Sequence, residues 1–390
     1  MTGASKSWVL LIIVISQFAC TSLWFAGNAV VNNIIDAYAL QPDVVGYITS
    51  SVQFGFITGT LLFALFTLAD RFSPSKVFFT CAVLGALANL IIFLGSALSI
   101  LLISRFATGL LLAGIYPVGM KIAADHHKQG LGKALGYLVG ALVVGTAFPH
   151  LLSSFDHILS WQYVVVATSL CSLSGGILMV LFVPDGPYRK RSTKLDLSSF
   201  FKVFKRKEFR LSAFGYFGHM WELYAFWAFI PGLLEAYASY NSITLNVSLL
   251  SFWMIAIGGI SCVAGGYLST RIGSHKTAFY ALLISGCCCI LSPFFFEVGL
   301  LPFIGLMSIW TLSVIADSPQ FSTLVAQSAP EDAKGTALTI VNSIGFLITI
   351  ISIQLLNWMV TEWEIKYIFT VLALGPIFGL LSITRNKSKS

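Results

Sequence analysis

The chain has 390 residues, of which 57% are hydrophobic and only 10% charged. A soluble domain carries about 25% charged residues, so this composition, with a mean hydropathy of +0.86, excludes an ordinary soluble fold. The net charge of +7 does not indicate nucleic acid, because the basic residues lie in alternate short loops, where they read as membrane-orientation signals.

Twelve apolar spans follow in chain order, at roughly 8–35, 45–68, 77–95, 98–121, 134–154, 163–183, 211–233, 247–269, 277–296, 301–324, 336–358 and 367–384. Most exceed the ~20 residues needed to cross a bilayer core as helix. The first has no small-x-small cleavage site and runs on past Trp24, so it reads as an uncleaved helix. With the N-terminus placed inside, 21 of the 23 Lys and Arg residues fall on the inner side. Lys366 falls outside and Arg105 within a helix, while acids such as Asp36, Asp43, Glu235 and Glu362 mark the opposite loops. This asymmetry predicts an all-α membrane protein of twelve helices with both termini cytoplasmic.

The stretch 184–210 is the one long polar segment and carries nine basic residues. It divides a six-helix bundle at 1–183 from a second at 211–390, and its Phe200, Phe201, Val203 and Phe204 suggest a short amphipathic helix on the inner surface. The halves repeat one another. Leu68, Arg71 and Lys76 match Leu268, Arg271 and Lys276 at an offset of 200, Pro117 matches Pro319 at 202, and Gly132 matches Gly335 at 203. Two six-helix repeats are a common transporter plan, with the substrate site near the bilayer midplane between them.

Only three charged residues fall clearly inside spans: Arg105, Glu222 and Asp317. A charge at that depth is expensive and normally marks a pathway or a proton relay. His219 stands three residues before Glu222, on the same side of a helix. A carboxylate whose proton affinity changes as water or a cation arrives can couple transport to protons, so Glu222 and Asp317 are the candidate carriers. His219 can tune Glu222 or relay its proton, and Arg105 can attract an anion or discharge a protonated carboxyl group. All seven cysteines lie in apolar spans without metal-ligand spacing, and the run Cys287–Cys289 reads as soft packing.

Around Asp70, Arg71 and Lys76 the sequence resembles the loop signature G-x-x-x-D-R-x-G-R-[RK] of the major facilitator superfamily, and the second half keeps Gly266, Arg271 and Gly273 of it. Arg105-Phe-Ala-Thr-Gly109 is similar to that family's helix 4 signature R-x-x-x-G, whereas the antiporter signature of helix 5 is poorly matched. The resemblance covers essentially the whole chain. It implies a secondary transporter working by alternating access, with helices 1, 4, 7 and 10 lining a central cavity. It also implies a cytoplasmic gate that includes Asp70, Arg71, Lys76, Arg271 and Lys276, and a share in proton coupling for Arg105. Trp24, Asn28, Arg105, Tyr116, Trp221, Tyr224, Trp310 and Asp317 are the expected cavity residues.

The expectation is proton-coupled uptake (symport) of a small organic solute, such as a carboxylate or a carboxylate-type metal chelate, across a bacterial inner membrane. Antiport of drugs or amphipathic metabolites, and a non-transporting receptor on the same scaffold, are the alternatives. No nucleotide-binding G-x-x-x-x-G-K-[ST] loop and no H-E-x-x-H motif occur, so neither ATP-driven transport nor an enzyme is expected. Partners are then the substrate, protons and lipid, with no cofactor, metal or nucleic acid.

Overall fold

The computed structural model describes residues 4–127, 131–155, 158, 160–189, 203–330 and 334–384. Every regular element among them is helical. In a bilayer the backbone must satisfy its own hydrogen bonds, which a helix does within one segment. The chain divides into two compact units, Met1–Lys194 and Leu195–Ser390. The amphipathic stretch expected around Phe200 and Phe201 lies outside the described residues.

The first unit contains α1 (Ala4–Thr21), α2 (Val31–Tyr38), α3 (Val44–Leu65), the short α4 (Leu68–Arg71), α5 (Pro74–Leu90), α6 (Leu98–Leu112), α7 (Tyr116–His126), α8 (Leu131–Ser153) and α9 (Trp161–Phe182). The second contains α10 (Lys207–Tyr240), α11 (Val247–Ile272), α12 (Ser274–Leu291), α13 (Leu300–Ala316), α14 (Ser318–Ser328), α15 (Lys334–Glu362), the short α16 (Ile365–Ile368) and α17 (Leu374–Thr384). Among the described residues ten stretches are long and apolar enough to cross a membrane.

Two expected spans fall outside those ten for different reasons. The first is divided: α1 stops at Thr21, residues 22–27 form turns, and a 3-10 turn at Asn28–Val30 leads into α2. The seventh, α10, is 34 residues long, but Tyr, Trp, His219 and Glu222 lower its hydropathy. The fourth and tenth spans are also divided. Each restarts just before a proline, Pro117 near the start of α7 and Pro319 near the start of α14, where the missing N–H costs nothing.

Glycine sets the closest contact in the first unit, between α3 and α6. A Cβ on Gly109 would lie 2.0 Å from the Val52 carbonyl oxygen, and one on Gly55 would lie 2.0 Å from that of Phe106. The two backbones therefore touch with no side chain between them, as small residues allow in membrane helices. In the second unit α10 is the central helix and packs against α17, α15, α14 and α11. Its residues from Gly215 to Met220 and from Glu222 to Ile230 are all buried.

Candidate functional site

The charges buried in the spans sit in three separate settings. In the second unit, α10 carries Glu222 into a shell supplied by α12 and α13. Its Oε1 accepts hydrogen bonds from Trp310 Nε1 at 2.7 Å and Cys289 Sγ at 3.2 Å, and its Oε2 accepts one from Ser285 Oγ at 2.9 Å. Glu222, Ser285, Cys289 and Trp310 are all fully buried. Phe226 holds the Trp310 ring from one side, with centroids 4.4 Å apart, while Phe295 and Phe369 meet it edge-on.

This shell accommodates either protonation state. Indole N–H is a donor only, so Oε1 always accepts from Trp310. A proton on the carboxyl group belongs on Oε2. There Ser285 Oγ also lies 3.2 Å from the Leu282 carbonyl oxygen. With Glu222 ionised, the hydroxyl donates to Oε2. With Glu222 protonated, the hydroxyl turns toward Leu282 and accepts from the carboxyl group instead. One rotation about a C–O bond exchanges the two patterns and strands no polar atom.

The second setting is one turn earlier on α10. His219 does not meet Glu222; it faces the α13–α14 break, where its Nδ1 lies 2.8 Å from Asp317 Oδ1. The two atoms are at ion-pair distance without meeting hydrogen-bond geometry, and among the described residues His219 Nε2 has no hydrogen-bond partner. Both residues are essentially inaccessible to solvent, and Phe321 and Tyr216 flank the imidazole. The helical spacing of His219 and Glu222 suggests that His219 tunes Glu222 or relays its proton. The restart at Ser318 supplies a different partner, by placing Asp317 at the N-terminus of α14.

The third setting is Arg105 on α6 in the first unit. Nη2 donates to the carbonyls of Leu23 and Trp24 at 2.7 and 2.8 Å, and Nη1 donates to Asn89 Oδ1 at 2.8 Å. Asn89 Nδ2 in turn donates to Val165 O, Thr168 Oγ1 and Ser169 Oγ on α9. Among the described residues no carboxylate pairs with this guanidinium.

Of the expected cavity residues, Trp24 is buried against Phe56 at 4.8 Å, and Asn28 donates to Thr49 Oγ1 at 2.6 Å. Tyr224 packs on Trp227 and Phe346. Trp221 is half-buried and donates to the Val371 carbonyl, and Tyr116 is half-buried at the start of α7.

Of the expected gate residues, Asp70 lies 3.0 Å from Lys121 Nζ, which also lies 3.7 Å from Asp125. Arg71, Lys76, Arg271 and Lys276 are exposed. The carbonyls of Asp70 and Phe72 are bound by Arg189, at 3.0 and 2.7 Å, and Arg189 also pairs with Asp185 at 2.8 Å. Ser73 donates to the same Asp185. Residues 183–189 are thus tied across the loop between α3 and α5.

Sequence reasoning missed Asn89, Ser285, Asp185 and Arg189, and it treated Cys289 as packing alone. Asn89 carries the one available signal: a strong amide donor and acceptor within an apolar span needs a partner. Ser and Cys occur throughout the spans, and nothing local separates Ser285 or Cys289 from the others.

Comparison with known proteins bears on this geometry. The family model of the Major Facilitator Superfamily matches residues 9–353. The niacin transporter NiaP of Acinetobacter baylyi is 32% identical over 161 residues, covering 35% of this chain and 36% of that protein. The probable galactarate/D-glucarate transporter GudP of Escherichia coli is 29% identical over 123 residues, 30% of this chain and 26% of that protein. The matches therefore span about a third and a quarter of these curated relatives. Among solved structures, a bacterial homologue of the human lysosomal transporter Spinster, in an inward-facing, unoccupied conformation, aligns with a TM-score of 0.74 at 15% identity. It covers 98% of both chains.

Proposed function

The chain belongs to the Major Facilitator Superfamily, a family of transporters rather than enzymes, and on that premise we propose that this multi-pass membrane protein couples uptake of a small organic carboxylate to protons. Twelve crossings with both termini in the cytoplasm, and a cytoplasmic gate around the loop between α3 and α5, belong to this reading, as does residence in a bacterial inner membrane. The two similar halves and their linker support alternating access. We assign substrate contacts to Trp24, Asn28 and Tyr116 in the first unit and to Trp221 and Tyr224 in the second.

The observation that carries the proposal is the Glu222 shell. A carboxylate buried among three neutral donors, one of which can reverse its role, is built to gain and lose a proton without leaving a buried polar group unpaired. A static buried charge needs no such reversal. Burying an ion costs several kcal/mol, and a proton-coupled cycle gives that cost a use. The Asp317–His219 pair supplies a second titratable position about one turn away along α10. Niacin, galactarate and glucarate, named for the two curated relatives, are all carboxylates, which supports the substrate class.

The test uses the purified protein in liposomes with a pH-sensitive dye inside. Nicotinate, D-glucarate, galactarate and a lipophilic cationic dye are presented in turn. Uptake of a carboxylate accompanied by inward proton movement, with both lost in Glu222→Gln, is the expected result. Proton movement outward on addition of the cationic dye would replace this reading with antiport. Binding without movement of either species would make the chain a receptor.

A further inference from the structure

The central helix of the second unit is longer than a bilayer is thick. α10 has 34 residues, about 51 Å at 1.5 Å per residue, against about 40–45 Å for a bilayer with its headgroups. Both ends therefore reach the polar boundary, and they differ in charge. Residues 228–240 hold one acid, Glu235, and no base. At the other end stand Lys205, Arg206, Lys207 and Arg210 against one acid, Glu208, and all five are exposed. The apolar run of α10 begins at Leu211, so Lys207 lies about 6 Å before it along the axis. The headgroup layer on each side of the core is about 5–8 Å thick, which puts this end at the depth of lipid phosphate.

The turn that presents these bases is a built one. Residues 203–205 are helical, Arg206 is extended at φ −72 and ψ 121, and α10 starts at Lys207. The Arg206 N–H donates to the Val203 carbonyl at 3.1 Å. Arg210 Nη1 closes the bend by donating to the carbonyls of Phe204 and Lys205 at 3.1 and 3.4 Å. Phe204 meets Phe209 edge-on at 5.2 Å, while Val203 and Phe209 are buried. Arg210 is thus committed to the backbone, as Lys121 and Arg189 are to carboxylates in the first unit. Among the described residues the side chains of Lys205, Arg206 and Lys207 meet no carboxylate.

We infer that Lys205, Arg206 and Lys207 form a binding site for the phosphate of an anionic phospholipid headgroup. The guanidinium fork suits two phosphate oxygens at once, and the two ammonium groups add point charges on either side of it in sequence. A base at this depth is attracted to an anionic leaflet, and the turn concentrates three on one bend. A lipid held there fixes the foot of the helix that carries His219 and Glu222. The site requires no transport activity, so it goes beyond the transport reading and stands or falls separately from it.

Native mass spectrometry of the full-length protein in mild detergent tests this, with phosphatidylglycerol and phosphatidylcholine as probes. Wild type should hold phosphatidylglycerol about ten-fold more tightly than phosphatidylcholine. Arg206→Gln/Lys207→Gln should abolish that preference. Arg271→Gln/Lys276→Gln removes the same charge from another exposed turn of the same unit and should change it less than about two-fold. Equal losses in the two double variants would make the preference a property of overall charge and overturn the site, as would an unchanged preference in Arg206→Gln/Lys207→Gln. Displacement of the lipid by millimolar inorganic phosphate would reassign the site to free phosphate and defeat the lipid assignment. The wild type alone supplies a further check that no variant's misfolding can obscure. Raising the ionic strength from about 0.05 to about 0.5 M should weaken the preference several-fold, and a preference indifferent to salt would overturn the inference.

Discussion

Arg105 in the first unit and Glu222 in the second are both buried, and both touch only neutral groups, yet their shells differ in kind. Arg105 meets acceptors with fixed roles: two backbone carbonyls and the oxygen of an amide whose nitrogen is already committed to α9. None can reverse, and none needs to, because a guanidinium keeps its proton in proteins. Glu222 meets two groups that donate to it and a hydroxyl with an alternative acceptor. A fixed shell suits a charge that holds structure, and a reversible one suits a charge that comes and goes. The type of neighbour, more than the depth of burial, separates the two uses.

The largest effect should come from emptying the fixed shell. Arg105→Ala leaves two carbonyls and Asn89 without their donor, so it should cost about 1–3 kcal/mol for each stranded acceptor and show as loss of the folded protein or a large drop in unfolding midpoint in detergent. Glu222→Gln should sharpen the contrast. The amide oxygen accepts from Trp310 and the amide nitrogen donates to Ser285, so stability should move by less than about 1 kcal/mol while substrate-driven proton flux falls to background. Equal destabilisation by the two substitutions would break the comparison.

Trp310→Phe comes next. It removes one donor and keeps the ring stack, and should cost about 1–3 kcal/mol in the same unfolding assay. Ser285→Ala is smaller in stability, about 1 kcal/mol, but specific in function: without the hydroxyl, the protonated carboxyl group loses its acceptor. Proton-coupled uptake should slow several-fold, and Ser285→Thr should restore it. The smallest effect lies outside both shells. Thr67 adopts a left-handed conformation, φ 49, at the turn between α3 and α4, where a β-branched residue is strained. Thr67→Gly should therefore raise stability by about 1 kcal/mol.

Much of the fold was readable in advance, because long apolar runs and segregated basic loops are strong signals. The three buried charges stood out for the same reason. Their partners did not. The break at residues 22–27 is written in Ser, Leu, Trp, Phe, Ala and Gly, a run that would also suit a continuous span, and the donor that binds its carbonyls sits some eighty positions away on α6. Ser285 and Cys289 are chemically ordinary until α12 is placed beside α10. His219 was read with Glu222 because spacing along a helix is visible in sequence, whereas the α13–α14 restart that brings in Asp317 depends on where the chain turns. Carbonyl binding near Asp70 went to Arg189 rather than Arg71 because residues 183–189 fold back over the loop, while Arg71 faces outward.

The backbone contact of α3 with α6 has a mechanical consequence. Arg105 belongs to α6 and grips the first span at the start of its interruption, through Leu23 and Trp24. Thr49 belongs to α3 and grips it just after, through Asn28. Since Gly55 and Gly109 weld those two helices together, the grips form one rigid splint across a fracture. Bending the first helix must then turn the α3–α6 pair as a single lever, so a force applied at either helix is delivered to both banks of the gap at once.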